Sequence, residues 1–254
     1  MDFLISDEQK QLQDLIHQFI QKDYPFDVRE KLVKTEEGFS KDFWKTFSQF
    51  GLLAMPFSEE DGGFNGGPVD IMIILEAFGT GLIVEPYIPN IVLSGNLVSK
   101  LGTKDQKDAI LPNLLNGDMQ LAFAFSEPQS RFDLNDVTTA AEKDGDGYKL
   151  NGYKCVVMNG PAADKLIVSA RTAGSQLDEN GISLFIVDRE TKGVSLRDYS
   201  NVDGSKASEL TLEDVVLTKD ALLGKQDKAF STIEEVVNLA TLAISAEAIG
   251  IMQK

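Results

Sequence analysis

Cysteine and histidine, which serve most often as nucleophile, general base or zinc ligand, are nearly absent from this sequence. The 254 residues include one cysteine, Cys155, and one histidine, His17. A single cysteine excludes an intramolecular disulfide framework and a cysteine-based zinc site, and a single histidine excludes a multi-histidine metal centre. A Ser-His-Asp triad would have to use His17 as its base. We therefore expect structural roles for both: packing within a strand for Cys155, and a surface or core position in a helix for His17.

A glycine-rich loop is the one segment that resembles a phosphate-binding motif. Residues 55–68 contain four glycines and two prolines, and Gly62-Gly63 is the pair that could form an anion-binding nest of backbone N–H groups. No lysine follows it as in a P-loop, and no strand precedes it as in a dinucleotide-binding unit. The spacing therefore predicts a structured turn and gives only weak support for a nucleotide site.

Composition narrows the class of protein. With 24 Lys+Arg against 40 Asp+Glu the formal net charge is -16, which argues against binding nucleic acid or an anionic membrane surface. The 43% hydrophobic and 25% charged residues are typical of a globular protein. The start of the chain lacks a basic segment, and uninterrupted apolar stretches fall far short of the ~20 residues of a membrane span. These features predict a cytoplasmic protein without membrane insertion.

The elements that must position any site fall into three blocks. Residues 1–118 predict an all-α N-terminal domain, because Ser6-Asp7-Glu8-Gln9 and Thr103-Lys104-Asp105-Gln106 are capping boxes and apolar residues recur at helical spacing. Phe43, Trp44, Phe47 and Phe50 form one such stripe, which Gly51 is placed to end. We interpret this stripe as core packing.

Residues 119–225 change to short β-compatible runs separated by turn signals, such as the hairpin around Asp144-Gly145-Asp146-Gly147. Without an intervening helix pattern they predict an antiparallel β-barrel middle domain, with a sandwich as the alternative. Residues 226–254 are apolar on nearly every side and predict the first helix of a C-terminal helical bundle. The fold class is thus α+β and multidomain. Since no partner helix follows, we expect a truncated chain or one completed by another subunit.

The most informative motifs lie in the middle block. Ser126-Glu127-Pro128, Asp133, Asn151-Gly152-x-Lys154 and Asn159-Gly160 occur in the order and at the separations that resemble the middle domain of the acyl-CoA dehydrogenases. Ser6-Asp7-Glu8-Gln9, Glu60-Asp61-Gly62-Gly63, Leu111-Pro112 and Leu222-Leu223-Gly224 resemble other signatures of that family, so the resemblance covers essentially the whole chain. The sequence of residues 127–133 most resembles the family branch that includes the small subunit of pimeloyl-CoA dehydrogenase.

This resemblance implies a function. Members of the family are oxidoreductases that desaturate an acyl-CoA thioester between its α and β carbons: a glutamate takes the α-proton and FAD accepts the β-hydride. It implies acyl-CoA as substrate, an electron-transfer flavoprotein as electron acceptor, a homo- or hetero-oligomer, and a place in fatty acid metabolism and dicarboxylic acid degradation.

The resemblance also implies a flavin site. It places Phe123, Phe125 and Ser126 on a strand beside the flavin ring, and Val156, Val157 and Met158 on its other side. Arg131 and Phe132 lie in the pyrophosphate loop. Phe132 replaces a serine that is usual there, and Arg131 could compensate by pairing with a phosphate. Ser126 is equally explained as a strand-end hydroxyl, and Glu127-Pro128 as a strand terminator.

The catalytic base stays unassigned. Ala240 and Thr241 stand where some family members carry the catalytic glutamate and an arginine, and the usual glutamate lies beyond residue 254. Three alternatives follow from these departures. The chain is a non-catalytic or flavin-poor partner subunit of a heteromeric dehydrogenase, an inactive fragment, or a β-domain binding module without a redox role.

Overall fold

The computed structural model describes residues 5–254, in which a helical part, a sheet and one long helix follow each other along the chain. Residues 1–4, where the predicted helical domain begins, lie outside the described range. The helices are α1 (Asp7–Asp23), α2 (Phe26–Leu32), α3 (Lys41–Gln49), α4 (Pro68–Gly81), a π-helix (Ile88–Gly95) continuing into α5 (Asn96–Leu101), α6 (Lys104–Leu115) and α7 (Phe230–Met252).

The predicted capping boxes are confirmed. At the start of α1 the Ser6 hydroxyl accepts from the Gln9 backbone N–H at 3.2 Å, and the Gln9 side chain accepts from the Ser6 N–H at 2.9 Å. Thr103 and Gln106 repeat this arrangement at α6. Each box satisfies two backbone donors that a helix end leaves without a partner. Gly51 follows α3 with φ 76°, the left-handed conformation predicted for it.

Aromatic rings fill the core of the helical part. The ring of Phe19 meets those of Phe43 and Phe47 edge-on, with centroids 5.2 and 5.4 Å apart. Phe47 stacks on Phe78 of α4 at 5.0 Å, and Trp44 is 1% exposed. The aromatic stripe of α3 therefore packs as predicted, and it joins the first, third and fourth helices.

The strands form one sheet in the order β6-β7-β3-β2-β4-β5-β8, with β1 added to β4. Their bounds are β1 (Leu121–Ala124), β2 (Ala140–Asp144), β3 (Gly147–Met158), β4 (Lys165–Arg171), β5 (Ile182–Asp188), β6 (Val194–Ser200), β7 (Lys206–Leu217) and β8 (Leu222–Leu223).

The predicted antiparallel barrel is wrong on two points. Among the described strands β6 and β8 end the sheet and do not pair with each other, so the sheet is open. In addition, β4 runs parallel to both β1 and β2. Closure and strand direction depend on which distant strands meet, and turn signals between neighbouring strands carry no information about that.

The last helix crosses the helical part at close range. A Cβ at Gly79 of α4 would lie 2.1 Å from the Glu247 carbonyl oxygen, and one at Gly250 of α7 would lie 1.9 Å from that of Glu76. The two backbones therefore touch where each helix carries a glycine. The helical N-terminal part, the middle sheet and the single C-terminal helix follow the predicted order, while boundaries after residues 118 and 225 stay predictions.

The last helix, α7, is apolar over a longer stretch than the uninterrupted apolar runs of the sequence predicted. Within Phe230–Met252 an 18-residue window has a mean hydropathy of 1.5, enough by length and composition to cross a membrane, and 22% of that window is buried. The sequence estimate counted uninterrupted apolar residues, whereas the window average tolerates the polar residues spaced along the helix. Core helices of soluble proteins pass the same test, so this is weak evidence for a membrane span.

Candidate functional site

The end of β1 brings two of the predicted site residues together. The rings of Phe123 and Phe125 stack with centroids 4.8 Å apart and planes 29° from parallel. They lie two residues apart and so share one side of the extended chain. Phe123 is buried, with 3% exposure, whereas Phe125 is half-buried and lines a cavity. Of the pair, Phe125 is therefore the ring that a ligand in that cavity can reach.

A bulge in β3 faces the same strand end. The pairing of β3 with β7 shifts register between Lys154 and Val157, and Val156 has φ 51°. A left-handed conformation is strained for a β-branched residue, and bulges with such residues concentrate next to functional sites. The Val156 side chain is 48% exposed, while Val157 is fully buried in the core of the sheet. A ligand could thus meet the side chain of Val156, whereas Val157 is closed to it.

Ser126 connects these two segments. Its carbonyl oxygen accepts from the Cys155 N–H at 2.9 Å, and its hydroxyl lies 3.7 Å from the Cys155 sulfur. The thiol contact is weak, so the Ser126 hydroxyl is largely free to bond a ligand. Met158, at the end of β3, lines the same cavity as Phe125.

The two remaining predicted residues lie apart from this cluster. Arg131 is exposed, adopts φ 48° and makes no ion pair within residues 5–254. Phe132 is 96% exposed and contributes to neither hydrophobic core. Their loop is held at its base by Ser130, whose hydroxyl donates to the Glu127 carbonyl at 2.9 Å and accepts from the Glu127 N–H at 3.1 Å. The structure therefore presents both side chains to solvent from an anchored turn.

Glu127 has a larger role than the strand terminator predicted for it. Its side chain and that of Lys154 are fully buried and paired at 2.7 Å. Lys154 also donates to the Ser169 hydroxyl at 3.0 Å. The carboxylate accepts further from the Thr138 N–H at 2.8 Å, the Thr139 N–H at 3.0 Å and the Gln129 and Thr138 side chains. This network ties the loop of residues 126–139 to β3 and β4 directly behind the candidate site.

The pKa values of the pair reflect this environment. Burial alone would raise the pKa of the Glu127 carboxyl, but the Lys154 ammonium and the Thr138 hydroxyl outweigh burial and hold that pKa well below its usual range. Burial lowers the pKa of Lys154, although Glu127 opposes that shift. The Asn151-Gly152-x-Lys154 motif contained the signal for this pair, since a lysine within a strand core requires a buried acid.

A cavity of about 410 Å³ lies between the sheet and the helices. Phe125 and Met158 line it from the sheet side, and Leu75, Phe78 and Tyr87 line it from the helical side. Helix α7 contributes residues that recur at helical spacing along one face: Val237, Ala240, Thr241, Ile244, Glu247 and Ile251. Volume and lining are typical of a site for an apolar small molecule. A second groove, of about 790 Å³, is lined by charges of both signs and by none of the predicted site residues.

Four carboxyl side chains line the cavity, namely Glu37, Glu85, Asp203 and Glu247, and burial raises the pKa of Glu85 and Glu247. The sequence analysis did not identify Glu85. Glu85 is 5% exposed, and burial raises its pKa to about 7 although the Ser40 backbone N–H opposes the shift. Burial, and to a smaller extent the charge of Asp203, raises the pKa of Glu247 to about 7. The signal for Glu85 was its place between apolar residues in Ile83-Val84-Glu85-Pro86-Tyr87.

Comparisons with known proteins cover the whole chain. Residues 6–118 match the acyl-CoA dehydrogenase N-terminal domain and residues 122–215 the acyl-CoA dehydrogenase middle domain. A probable acyl-CoA dehydrogenase of Bacillus subtilis (strain 168), YngJ, is 31% identical over 100% of this chain and 67% of its own length. Acryloyl-CoA reductase (NADH) of Anaerotignum propionicum is 32% identical over 100% of the chain and 65% of its length.

The solved structure of butyryl-CoA dehydrogenase from Megasphaera elsdenii superposes on this chain with a TM-score of 0.88 at 27% identity. The match covers 100% of this chain and 68% of the butyryl-CoA dehydrogenase chain. The chain thus spans about two thirds of the length of the proteins that it matches.

Proposed function

The chain belongs to the acyl-CoA dehydrogenase family, and we propose that it forms part of an FAD-dependent enzyme that desaturates an acyl-CoA thioester. The observation that carries this proposal is a shared cavity wall. Phe125 and Met158, which the resemblance places beside the flavin, line the same cavity as apolar residues of α4 and α7. In this proposal the acyl chain fills that cavity, and its apolar walls keep water from the reacting carbons.

The chain's own residues fit a flavin at the end of β1. Ser126 has a hydroxyl with only a weak thiol contact, and Val156 is held in a strained conformation with its side chain exposed. We assign Phe125, Ser126, Val156 and Met158 to the ring, with the buried Phe123 supporting Phe125 from behind and the buried Val157 holding Val156 in place from the sheet core. When bound, FAD would accept the hydride from the β carbon.

The pyrophosphate side fits less well. Phe132 offers no hydroxyl, so binding there falls to Arg131, which is exposed and without a carboxylate partner within the described chain. A guanidinium can bond a phosphate through two N–H groups. We therefore propose Arg131 as the pyrophosphate ligand. The base that takes the α-proton is not assigned, because neither Ala240 nor Thr241 carries one.

The finer features of the function rest on the family resemblance. We propose acyl-CoA as substrate, an electron-transfer flavoprotein as the redox partner, a homo- or hetero-oligomer and a cytoplasmic location. Membership of the pimeloyl-CoA dehydrogenase branch and a role in dicarboxylic acid degradation belong to the same proposal. Several relatives, among them acryloyl-CoA reductase (NADH), are named reductases, so the direction of the reaction is itself a point to test.

The test is the visible absorbance spectrum of the purified protein after incubation with FAD and desalting. We expect flavin bands that persist through desalting and shift when an acyl-CoA is added. Arg131→Ala should reduce the flavin retained, whereas Lys104→Ala, at an exposed lysine of α6 paired with Asp108, should not. A protein that stays colourless after reconstitution would contradict the proposal.

A colourless protein would favour the second candidate, a non-catalytic partner subunit of a heteromeric dehydrogenase. One observation supports it: the 96% exposure of Phe132 leaves an aromatic ring in solvent on the predicted pyrophosphate loop. Exposed aromatic residues are typical of surfaces that bind another protein.

A further inference from the structure

The end of β3 carries a buried amide that the proposed function does not use. Asn159 follows Met158 directly and is 6% exposed. It adopts φ 62°, a left-handed conformation that asparagine tolerates better than most residues. It also lines the same cavity as Phe125 and Met158. Its side chain is therefore a polar group in a mostly apolar wall, next to residues assigned to the flavin.

A network of three amide side chains fixes the orientation of Asn159. Its Nδ2 donates to the Leu121 carbonyl at 3.0 Å and to the Gln120 Oε1 at 3.2 Å. The Gln120 Oε1 also accepts from the Asn90 Nδ2 at 2.8 Å, and the Asn90 Oδ1 accepts from the Leu121 N–H at 2.8 Å. Because a backbone carbonyl can only accept, the Leu121 contact determines which end of the Asn159 amide is the nitrogen.

These contacts leave Asn159 with one free polar atom. Its backbone N–H donates to the Lys206 carbonyl at 3.1 Å, and its carbonyl accepts from the N–H groups of Ala162 and Ala163. Its Oδ1 accepts no hydrogen bond within residues 5–254 and is not one of the side-chain oxygens that the described chain buries without a partner. This oxygen is thus accessible, and Asn159 presents to the cavity a hydrogen-bond acceptor with a fixed direction.

The network connects the two strands that flank the proposed flavin site. Asn90 is 0% exposed and lies in the π-helix Ile88–Gly95. Such turns are rare and occur frequently at functional sites. Through Leu121 the network ties this turn to β1, which Phe125 follows, and through Asn159 to the end of β3. The acceptor is therefore held in position relative to both strands.

We propose that the Asn159 Oδ1 accepts a hydrogen bond from bound FAD. This inference rests on the proposed function, because it takes a flavin as the ligand beside Phe125 and Met158. FAD offers suitable donors: the N3–H of the ring, the hydroxyls of the ribityl chain and, in the reduced form alone, the N5–H. An apolar acyl chain offers none and would leave the oxygen desolvated and unpaired.

The test measures the affinity of the purified protein for oxidised and reduced FAD by the change in flavin fluorescence and absorbance. Asn159→Gly keeps the left-handed backbone and removes the amide. We expect it to bind FAD about tenfold more weakly, the loss of one hydrogen bond. Both redox forms lose affinity if the donor is the N3–H or a hydroxyl, and the reduced form alone if it is the N5–H.

Two further variants separate binding from structure. Asn65→Gly is the matched control, because Asn65 also has a left-handed φ of 56° and does not line the cavity. It should bind FAD like the wild type. Asn159→Asp keeps an acceptor oxygen but loses the two hydrogen bonds that Nδ2 donates. It should recover most of the affinity, whereas a purely structural role of Asn159 would leave it as weak as Asn159→Gly.

Each outcome decides. Unchanged affinity of Asn159→Gly for both redox forms overturns the role of Asn159 and leaves the proposed function intact. Weaker binding of hexanoyl-CoA with FAD affinity unchanged also overturns it and assigns Oδ1 to the thioester. A wild-type protein that binds neither form of FAD overturns the proposed function as well. If circular dichroism shows that Asn159→Gly does not fold, Asn159→Asp decides: an affinity within about threefold of the wild type supports the proposal, and any larger loss overturns it.

Discussion

Two buried glutamates of this chain show how partners decide the state of a carboxyl group. Glu127 and Glu85 are 1% and 5% exposed, yet the pKa of Glu127 lies well below its usual range and that of Glu85 rises to about 7. Glu127 accepts from Lys154 and from three residues of its own loop, whereas Glu85 makes no ion pair within residues 5–254 and interacts with the Ser40 N–H and the Tyr24 hydroxyl. Burial penalises both charges, and only for Glu127 do the partners outweigh it.

The two glutamates differ in how well their surroundings stabilise the charged form of the carboxyl group. Glu127 uses its acceptor capacity to fix the loop behind the candidate flavin site, so it has little left for a ligand. Glu85 has the Tyr24 hydroxyl and the Ser40 N–H beside its carboxyl but no cation, so its charged form stays poorly compensated. The comparison can be tested on each glutamate separately.

The largest effect is expected from removing the partner of Glu127. Lys154→Met would leave a buried carboxylate without its ammonium, and we expect it to lower the free energy of unfolding by about 3–5 kcal/mol. Denaturant unfolding monitored by circular dichroism measures this. Lys149→Met is the matched control, because Lys149 is part-exposed and 4.0 Å from Asp214, a pair worth about 1 kcal/mol at most. A cost below about 1 kcal/mol for Lys154→Met would mean that the pair does not stabilise this loop.

The second-largest effect is the dependence of the free energy of unfolding on pH, which Glu85 determines. Its folded-state pKa of about 7 exceeds the ordinary 4.5, so between these values the folded protein binds more protons than the unfolded chain. The free energy of unfolding should then fall as pH rises through this window, by on the order of 3 kcal/mol in total. Glu247 shifts in the same direction and adds a smaller slope, since it is more exposed.

Glu85→Gln should flatten most of this decline. Thermal unfolding temperatures at pH 5 and pH 8 provide the measurement, with Glu142→Gln as the exposed control. An unchanged slope in Glu85→Gln would show that Glu85 titrates normally, and the contrast with Glu127 would then be lost.

The parts of the fold that the sequence predicted are local. The capping boxes at Ser6 and Thr103 and the left-handed Gly51 follow from residues within three or four positions of each other. The same holds for the change from helical to strand spacing near residue 119. Local hydrogen bonds and the periodicity of apolar residues determine these features, so a single sequence contains them.

The features that the sequence missed depend on distant residues. Whether β6 meets β8 is decided across the whole sheet, and the strain at Val156 arises because two non-neighbouring strands pair out of register. Lys154 lies 27 residues from Glu127, and Ser40 lies 45 residues from Glu85. The motif identified Lys154 and Glu127 separately, but only the fold brings them into contact. The exposure of Phe132 likewise follows from the anchored loop and not from its residue type.

The smallest effect separates two adjacent threonines behind the site. The backbone N–H groups of Thr138 and Thr139 both donate to Glu127, but only the Thr138 hydroxyl does so. The Thr139 hydroxyl is buried without a partner in the described chain. Thr138→Val should therefore lower the free energy of unfolding by about 1 kcal/mol, while Thr139→Val, which removes an unpaired buried hydroxyl, should be neutral or stabilising. Equal losses in the two variants would show that the Glu127 network does not depend on the Thr138 hydroxyl. The charge of Glu127 would then be compensated by fewer hydrogen bonds than the contrast with Glu85 assumes.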